Sequence, residues 1–196
     1  MTEILYLGHG CLRVITNTNM VIYIDPYAGT GYDLKADLVL ITHAHYDHTD
    51  LNKVKKDENT IILTYADMLI KGEYQEKTVK GISIKALPAE NKNHKRSECV
   101  GYLIKVDGKV LYFAGDTSYL KEMDGYDRLN IDYAFLPCDG VYNMDNKEAE
   151  FCSNKIKAKF TVPIHNQADG FYDYEKAELF NGYNKLIVKP TEKIEY

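Results

Sequence analysis

The sequence lacks most of the features that would assign a compartment or a chemistry on their own. No apolar run approaches the roughly 18 to 20 residues a membrane helix needs, and Met1 to Gly8 has neither the basic start nor the apolar stretch of a signal peptide. These absences predict a cytoplasmic protein with no membrane partner. Lys and Arg total 24 against 29 Asp and Glu, a formal charge of -5, so the chain also lacks the basic footprint of a nucleic-acid binder. Cysteine is sparse: Cys11, Cys99, Cys138 and Cys152 form no C-x-x-C pair and read as reduced core residues. With 5 Pro and 13 Gly in 196 residues, collagen-like, low-complexity and disordered classes are excluded. No repeat, Pro/Ser-rich linker or compositional break divides the chain, which predicts one domain over 1–196, long enough to bury a core without staples. A G-x-S-x-G elbow, a Walker-type loop and a G-x-G-x-x-G turn are all missing.

What is present is a succession of Val-, Ile-, Leu- and Tyr-rich segments separated by turn residues. A first series covers Ile4 to Leu7, Leu12 to Thr16, Val21 to Asp25, Leu38 to Thr42 and Ile61 to Thr64. A second covers Val79 to Leu87, Val100 to Val106, Lys109 to Ala114, Ile131 to Leu136, Phe160 to Ile164 and Lys185 to Val188, with Asp107-Gly108 as the strongest hairpin signal. The clearest helix is Asn146 to Lys157, where Asp145 is placed to cap and Ala149, Cys152 and Ile156 share a face. Shorter helices are expected at Asp50 to Lys56, Tyr65 to Lys71 and Tyr174 to Phe180. The pattern predicts one α/β domain of two packed sheets covered by helices.

The six histidines carry the functional information, and three of them fall in Thr42-His43-Ala44-His45-Tyr46-Asp47-His48, directly after an apolar strand. Strand ends in α/β folds are where sites are built. In extended chain His43 and His45 point to one side, and a turn after them returns Asp47 and His48 to the same volume. Imidazoles and carboxylates suit Zn²⁺, Mn²⁺ or Fe²⁺, and four such donors so close together exceed what one tetrahedral ion takes from a single loop. Two adjacent metals are therefore expected. An adventitious His-rich surface loop is the competing reading. It is weakened because His94, Asp116 and His165 also follow apolar strands.

This pattern resembles the metallo-β-lactamase superfamily, whose H-x-H-x-D-H signature matches His43, His45, Asp47 and His48. Within it the chain is similar to small single-domain metal-dependent hydrolases related to L-ascorbate-6-phosphate lactonase. Gly8-His9, Ile24-Asp25-Pro26, Leu87-Pro88-Ala89, Gly115-Asp116-Thr117, Leu136-Pro137 and Pro163-Ile164-His165 stand in that family's order. The resemblance implies a four-layer αββα sandwich, one metal on His43, His45 and His94, another on Asp47, His48 and His165, and Asp116 bridging them. Glu90 departs from the family, standing where these relatives usually carry an aromatic residue. His9 and Asp25 lie outside the main signature. His9 reads either as a core histidine or as a group near the mouth, and Asp25 as a hydrogen-bonding support for a ligand imidazole or for the metal loop.

Two divalent ions set against Asp47, Asp116 and a bridging hydroxide leave a small positive charge that welcomes a polarised carbonyl or phosphoryl group. Water bound to such ions becomes a nucleophile at neutral pH, so hydrolysis is the expected reaction, with Asp47 as the proton-handling residue. Lys92, Lys95 and Arg96 surround His94 and are candidates to grip an anion. Tyr142, Asn143 and Met144 are candidates to line the mouth. The expected substrate is a small anionic ester-like compound, a lactone first and a phosphodiester second. Zinc is the first choice of metal, with manganese or iron also suited. Two other readings stand beside this one: a metal-binding protein without turnover, and a di-iron oxidoreductase, which usually carries Glu where this chain has His45 and needs a flavin domain. A homo-oligomer whose neighbour closes the pocket is also consistent with a small domain without a lid.

Overall fold

A computed structural model describes residues 2–196. Five strands, β1 (Glu3–Gly8), β2 (Cys11–Ile15), β3 (Val21–Ile24), β4 (Leu38–Ile41) and β5 (Ile61–Thr64), open the chain. A short helix α1 (Tyr65–Met68) and a small ribbon, β6 (Leu69–Ile70) with β7 (Glu73–Tyr74), lead to β8 (Glu76–Val79), β9 (Ile82–Pro88), β10 (Val100–Val106) and β11 (Lys109–Phe113). Then come β12 (Tyr133–Pro137), α2 (Asn146–Ile156), β13 (Phe160–Ile164), α3 (Tyr174–Leu179) and β14 (Lys193–Glu195). Two six-stranded sheets result, ordered β14-β1-β2-β3-β4-β5 and β13-β12-β11-β10-β9-β8.

The alternation of side chains explains how these sheets stack. Along β3 and β4, Ile22, Ile24, Leu38 and Leu40 point into a core shared with Ile84, Tyr102, Ile104, Phe113 and Phe135 of the second sheet. The intervening Val21, Tyr23, Val39 and Ile41 point outward into a separate buried cluster. A strand buried on both faces must read as an unbroken apolar run, as Leu38 to Ile41 does. On the outer face of the second sheet, α2 packs Ala149, Cys152 and Ile156 against Tyr112, Ala134 and Leu136, beside Met123 and Tyr126 of a 3-10 segment at Lys121–Leu129. Asp145 caps α2 by accepting from the Glu148 backbone N–H at 2.8 Å.

The predicted sandwich is therefore present, with differences in detail. Asp50 to Lys56 forms turns instead of a helix, so loop residues such as Ala28, Tyr32, Ala36 and Val54 cover the first sheet. The run Val79 to Leu87 is split by a turn at Lys80 and Gly81, with φ of 49° and 87°, into the antiparallel pair β8 and β9. Lys185 to Val188 makes only an isolated bridge, Lys185 to Thr161, and the C-terminal strand is instead β14, paired with β1.

Parallel pairing of β3 with β4 and of β11, β12 and β13 aligns their C-terminal ends. Asp25, Thr42, Asp116, Asp139 and His165 follow these ends at one edge of the sandwich. His9, Asp25 and His165 each leave their strand with a left-handed backbone, φ 50°, 46° and 43°. Such conformations cost on the order of 1 kcal/mol or more for residues with a Cβ and persist where packing dictates them, commonly at functional sites.

Candidate metal centre

After β4 the chain stays extended through His43, which bridges to Cys99, and then makes a single 3-10 turn over Tyr46–His48. The turn returns Asp47 and His48 toward the sheet while His43 and His45 face His94. Their nitrogens lie within 4.8 Å of one another, and a second group, His9, Asp47, His48 and His165, meets the same limit. Asp116 stands between the groups. Its Oδ2 is 3.4 Å from His94 Nε2 and 3.6 Å from His165 Nε2, and its Oδ1 is 3.5 Å from His48 Nε2. All seven residues expected as metal ligands thus converge at one edge. Gly10 leaves room for them, since a Cβ there would meet His48 Cε1 at 3.0 Å.

Three of the buried imidazoles, His48, His43 and His94, are held from behind. Asp25 Oδ2 accepts from His48 Nδ1–H at 2.8 Å and from the Thr42 hydroxyl at 2.6 Å, while Asp25 Oδ1 accepts from the Thr42 backbone N–H at 2.8 Å. Because the Thr42 hydroxyl proton goes to Asp25, its oxygen accepts from His43 Nδ1–H at 2.9 Å. Asn91 Oδ1 accepts from His94 Nδ1–H at 2.8 Å. These contacts fix the tautomers so that the Nε2 lone pairs of His43, His48 and His94 aim inward. His94 Nε2 lies 3.0 Å from His45 Nδ1, two nitrogens directed at one point. The Nε2 atoms of His43, His48 and His165 are buried without a hydrogen-bond partner among the described residues. An orphaned buried polar atom is costly, and three aimed into one volume fit a cation there.

The electrostatics agree with that fit. Burial pushes the His43 imidazole down to about 2, with His48 adding to the effect. Burial also drives His165 down to about 4 against the pull of Asp116. Burial works the same way on His48, but Asp116, Asp25 and Asp47 outweigh it and lift the imidazole to about 9. Burial acts to raise Asp116, and His165, His48, His43 and His94 around it overcome that and hold it far below the usual carboxylate range. A polyvalent cation would occupy the position that protons and imidazoles share here.

His9 is not an isolated core histidine. Its Nε2 lies 3.2 Å from Asp47 Oδ2, its Nδ1 is 3.1 Å from the Gly170 carbonyl, and its ring centroid is 3.6 Å from that of His165. Tyr142 borders a cleft of about 280 Å³ with His45, Asp47, His94, Asp116 and His165. Arg96 does not reach the cleft, because Glu90 at 2.7 Å and Glu122 take its guanidinium. Glu90, the departure from the family pattern, thus has its partner outside the metal centre. Lys92 is exposed on the loop, and Lys95 lies 3.9 Å from Glu98 beside an adjoining hollow. Met144 is fully buried against Cys152. Thr42, Asn91 and Asp139 support the site without belonging to the expected set. Asp139 follows β12 as Asp116 follows β11, so the same strand-end rule would have found it.

The β-lactamase superfamily domain matches residues 3–165 of this chain. A metal-dependent hydrolase from Pyrococcus abyssi is 31% identical, with 100% of each chain covered. A solved structure from Parabacteroides distasonis is 30% identical over 94% of this chain and 91% of its own, with a TM-score of 0.75. Igni18, a metallo hydrolase from Ignicoccus hospitalis, shares the fold over 100% of both chains, with a TM-score of 0.77 at 24% identity. The motif match along the chain and the whole-length relative place this protein in the β-lactamase superfamily, among its metal-dependent hydrolases.

Proposed function

We propose that the chain hydrolyses a small ester-like compound, a cyclic ester first, with two divalent ions held side by side. His43, His45 and His94 would hold one ion, and Asp47, His48 and His165 the other, with Asp116 between them. The observation that carries this reading is the set of buried imidazole nitrogens aimed without partners into one volume beside Asp116. The donor set suits zinc first and manganese or iron next. Bound there, such ions act as Lewis acids and bring a water's pKa toward about 7.

The chain's own groups do the rest. Asp47 is partly open to the cleft, its side chain 23% exposed, and its Oδ2 accepts from His9. That leaves Oδ1 to orient water and take its proton as the bond to the substrate carbonyl forms. Tyr142 and Asn93 at the rim offer polar contacts. Among the described residues no lysine or arginine borders the cleft, which supports an uncharged ester over the anionic substrate expected from the loop around His94.

The test is protein loaded with Zn²⁺ or Mn²⁺, offered δ-valerolactone and bis-p-nitrophenyl phosphate, with metal content measured in parallel. Turnover of the lactone above the phosphodiester is expected. Turnover of the phosphodiester alone overturns the substrate class, and two bound ions without any turnover favour a metal-binding protein that is not a catalyst.

A further inference from the structure

Asp25 holds His48 directly and His43 through Thr42, so one carboxylate braces an imidazole from each donor group. A second buried carboxylate, Asp139, lies beside His165. Asp139, 2% exposed, is pinned in the turn after β12, where its Oδ1 accepts from the backbone N–H groups of Val141 at 2.7 Å and Tyr142 at 2.6 Å. Its Oδ2 lies 3.3 Å from His165 Nδ1, a close contact that is not aligned as a hydrogen bond. The same Oδ2 accepts from Asn143 Nδ2–H at 2.8 Å. A carboxylate offers no proton, so the Asn143 amide can face it only with its NH₂. Asn143 Oδ1 must then face the other way, and it accepts from Asn91 Nδ2–H at 2.9 Å. Asn91 Oδ1 is thereby turned to His94 Nδ1–H, an orientation that the backbone N–H groups of Asn93 at 2.8 Å and His94 at 3.0 Å require independently.

We propose that Asn143 is a positioning residue that joins the Asp139–His165 and Asn91–His94 contacts into one strut. It touches neither imidazole, yet fixes the spacing of the two donor groups from outside. Among the described residues no hydrogen bond runs from Asp139 to Asn91 directly, so Asn143 is the joint. It is 9% exposed, and its amide is satisfied at both ends. Asn93 Nδ2–H donates to the Tyr142 carbonyl at 2.9 Å and ties the same two loops without reaching an imidazole support, which makes it the natural control.

This inference rests on the two-ion reading, and the experiment separates them. Co²⁺ is titrated into metal-free full-length protein while its visible absorption is followed. Asn143→Ala is expected to weaken Co²⁺ binding roughly tenfold, the low end for losing a group that orients a metal-binding histidine. A double-mutant cycle of Asp139→Ala with Asn91→Ala should be non-additive by at least about fivefold in Co²⁺ affinity, beyond the roughly twofold scatter of independent sites. The same cycle in the Asn143→Ala background should be additive, and in Asn93→Ala it should stay non-additive. Additivity in the parent, or affinity within twofold of the parent for Asn143→Ala, overturns the strut. Should Asn143→Ala fail to fold, Asn143→Ser serves in its place. Long-range ¹H–¹⁵N spectra of the metal-free parent should also place the His94 proton on Nδ1, and a proton on Nε2 overturns the proposed chain of contacts. A parent that binds one Co²⁺ refutes the two-ion reading alone, because the spectra and the cycle on that ion still decide the strut.

Discussion

The two donor groups sit at the same edge of the sandwich but in different electrostatic surroundings. His43, His45 and His94 include no carboxylate of their own, meet Asp116 at their border and Asp25 through His43, and leave His45 exposed. His9, His48 and His165 are 2%, 1% and 1% exposed and share their space with Asp47, Asp116, Asp25 and Asp139. Burial outweighs the pull of Asp116 at His43 and at His165 and keeps both imidazoles neutral, whereas at His48 Asp116, Asp25 and Asp47 outweigh burial and let it hold a proton to about 9. The first group is ready to donate lone pairs; the second must release a proton before His48 can do so. This contrast predicts that an ion enters the first group more easily and that binding at the second is the more pH-dependent.

The largest expected effect breaks the link between the groups. Asp116→Ala removes the carboxylate that lies between the two groups, so both ions should bind more weakly by over about 100-fold, beyond the range for losing a mere partner of a ligand. Hydrolysis should fall to background while circular dichroism still reports a folded chain, and metal analysis after dialysis checks the loss. Retention of both ions would show that Asp116 does not join the groups. Next in size is Asp25→Ala, which leaves a buried imidazolium at His48 and strands the Thr42 backbone N–H. Removing one partner of a buried pair costs about 3 to 5 kcal/mol, measurable by urea unfolding of the metal-free protein.

These residues also mark what a single sequence can and cannot disclose. Leu38 to Ile41 is legible because a strand buried on both faces must be apolar throughout, and the histidines at its end announce the centre through their density. His94 and His165 are legible by the same strand-end logic. The Lys80-Gly81 turn is not, since apolar residues run on both sides of it, nor is the missing helix at Asp50 to Lys56, where loops from elsewhere cover the sheet. Asn143 shows the deeper limit. Its position near the mouth follows from β12, but its role as a joint depends on Asp139 and Asn91, and Asn91 comes from a loop 52 positions away in the chain.

A smaller effect sharpens the contrast through pH. In the metal-free protein His43 and His165 titrate at about 2 and about 4, below their ordinary 6.5, so between those values the unfolded chain binds more protons and stability falls as pH drops below 6.5. His48 has the opposite sign. Its stabilisation is complete below 6.5 and is lost as pH rises toward about 9. Denaturant midpoints across pH 4 to 10 should therefore peak near 6.5. Asp25→Asn, which removes one of the charges that lift His48, should flatten the alkaline limb and leave the acid limb in place. Equal flattening of both limbs would mean that His48 does not titrate separately from His43 and His165.

The smallest effect concerns the rims. Beside the first group stand Lys92, Lys95 and Arg96, and beside the second stand Tyr27, Tyr46 and Phe171, with Tyr27 edge-on to both of the others at 5.8 Å. Of these cations Arg96 is turned away, held by Glu90 and Glu122 on a surface where its side chain is 41% exposed. Exposed pairs of this kind contribute about 0 to 1 kcal/mol, so Arg96→Gln should leave the urea midpoint nearly unchanged. Tyr46, in contrast, is 77% exposed directly between two of the proposed ligands and borders the cleft. Neutralising Lys92, Lys95 and Arg96 together should change KM by the same small factor for a charged ester and for its neutral analogue, whereas Tyr46→Ala should raise KM for an aromatic lactone such as dihydrocoumarin more than for δ-valerolactone. A selective rise in KM for the charged ester in the triple variant would mean that the loop cations swing over the cleft when substrate binds, and the rim of the first group would then be the one that reads substrate charge.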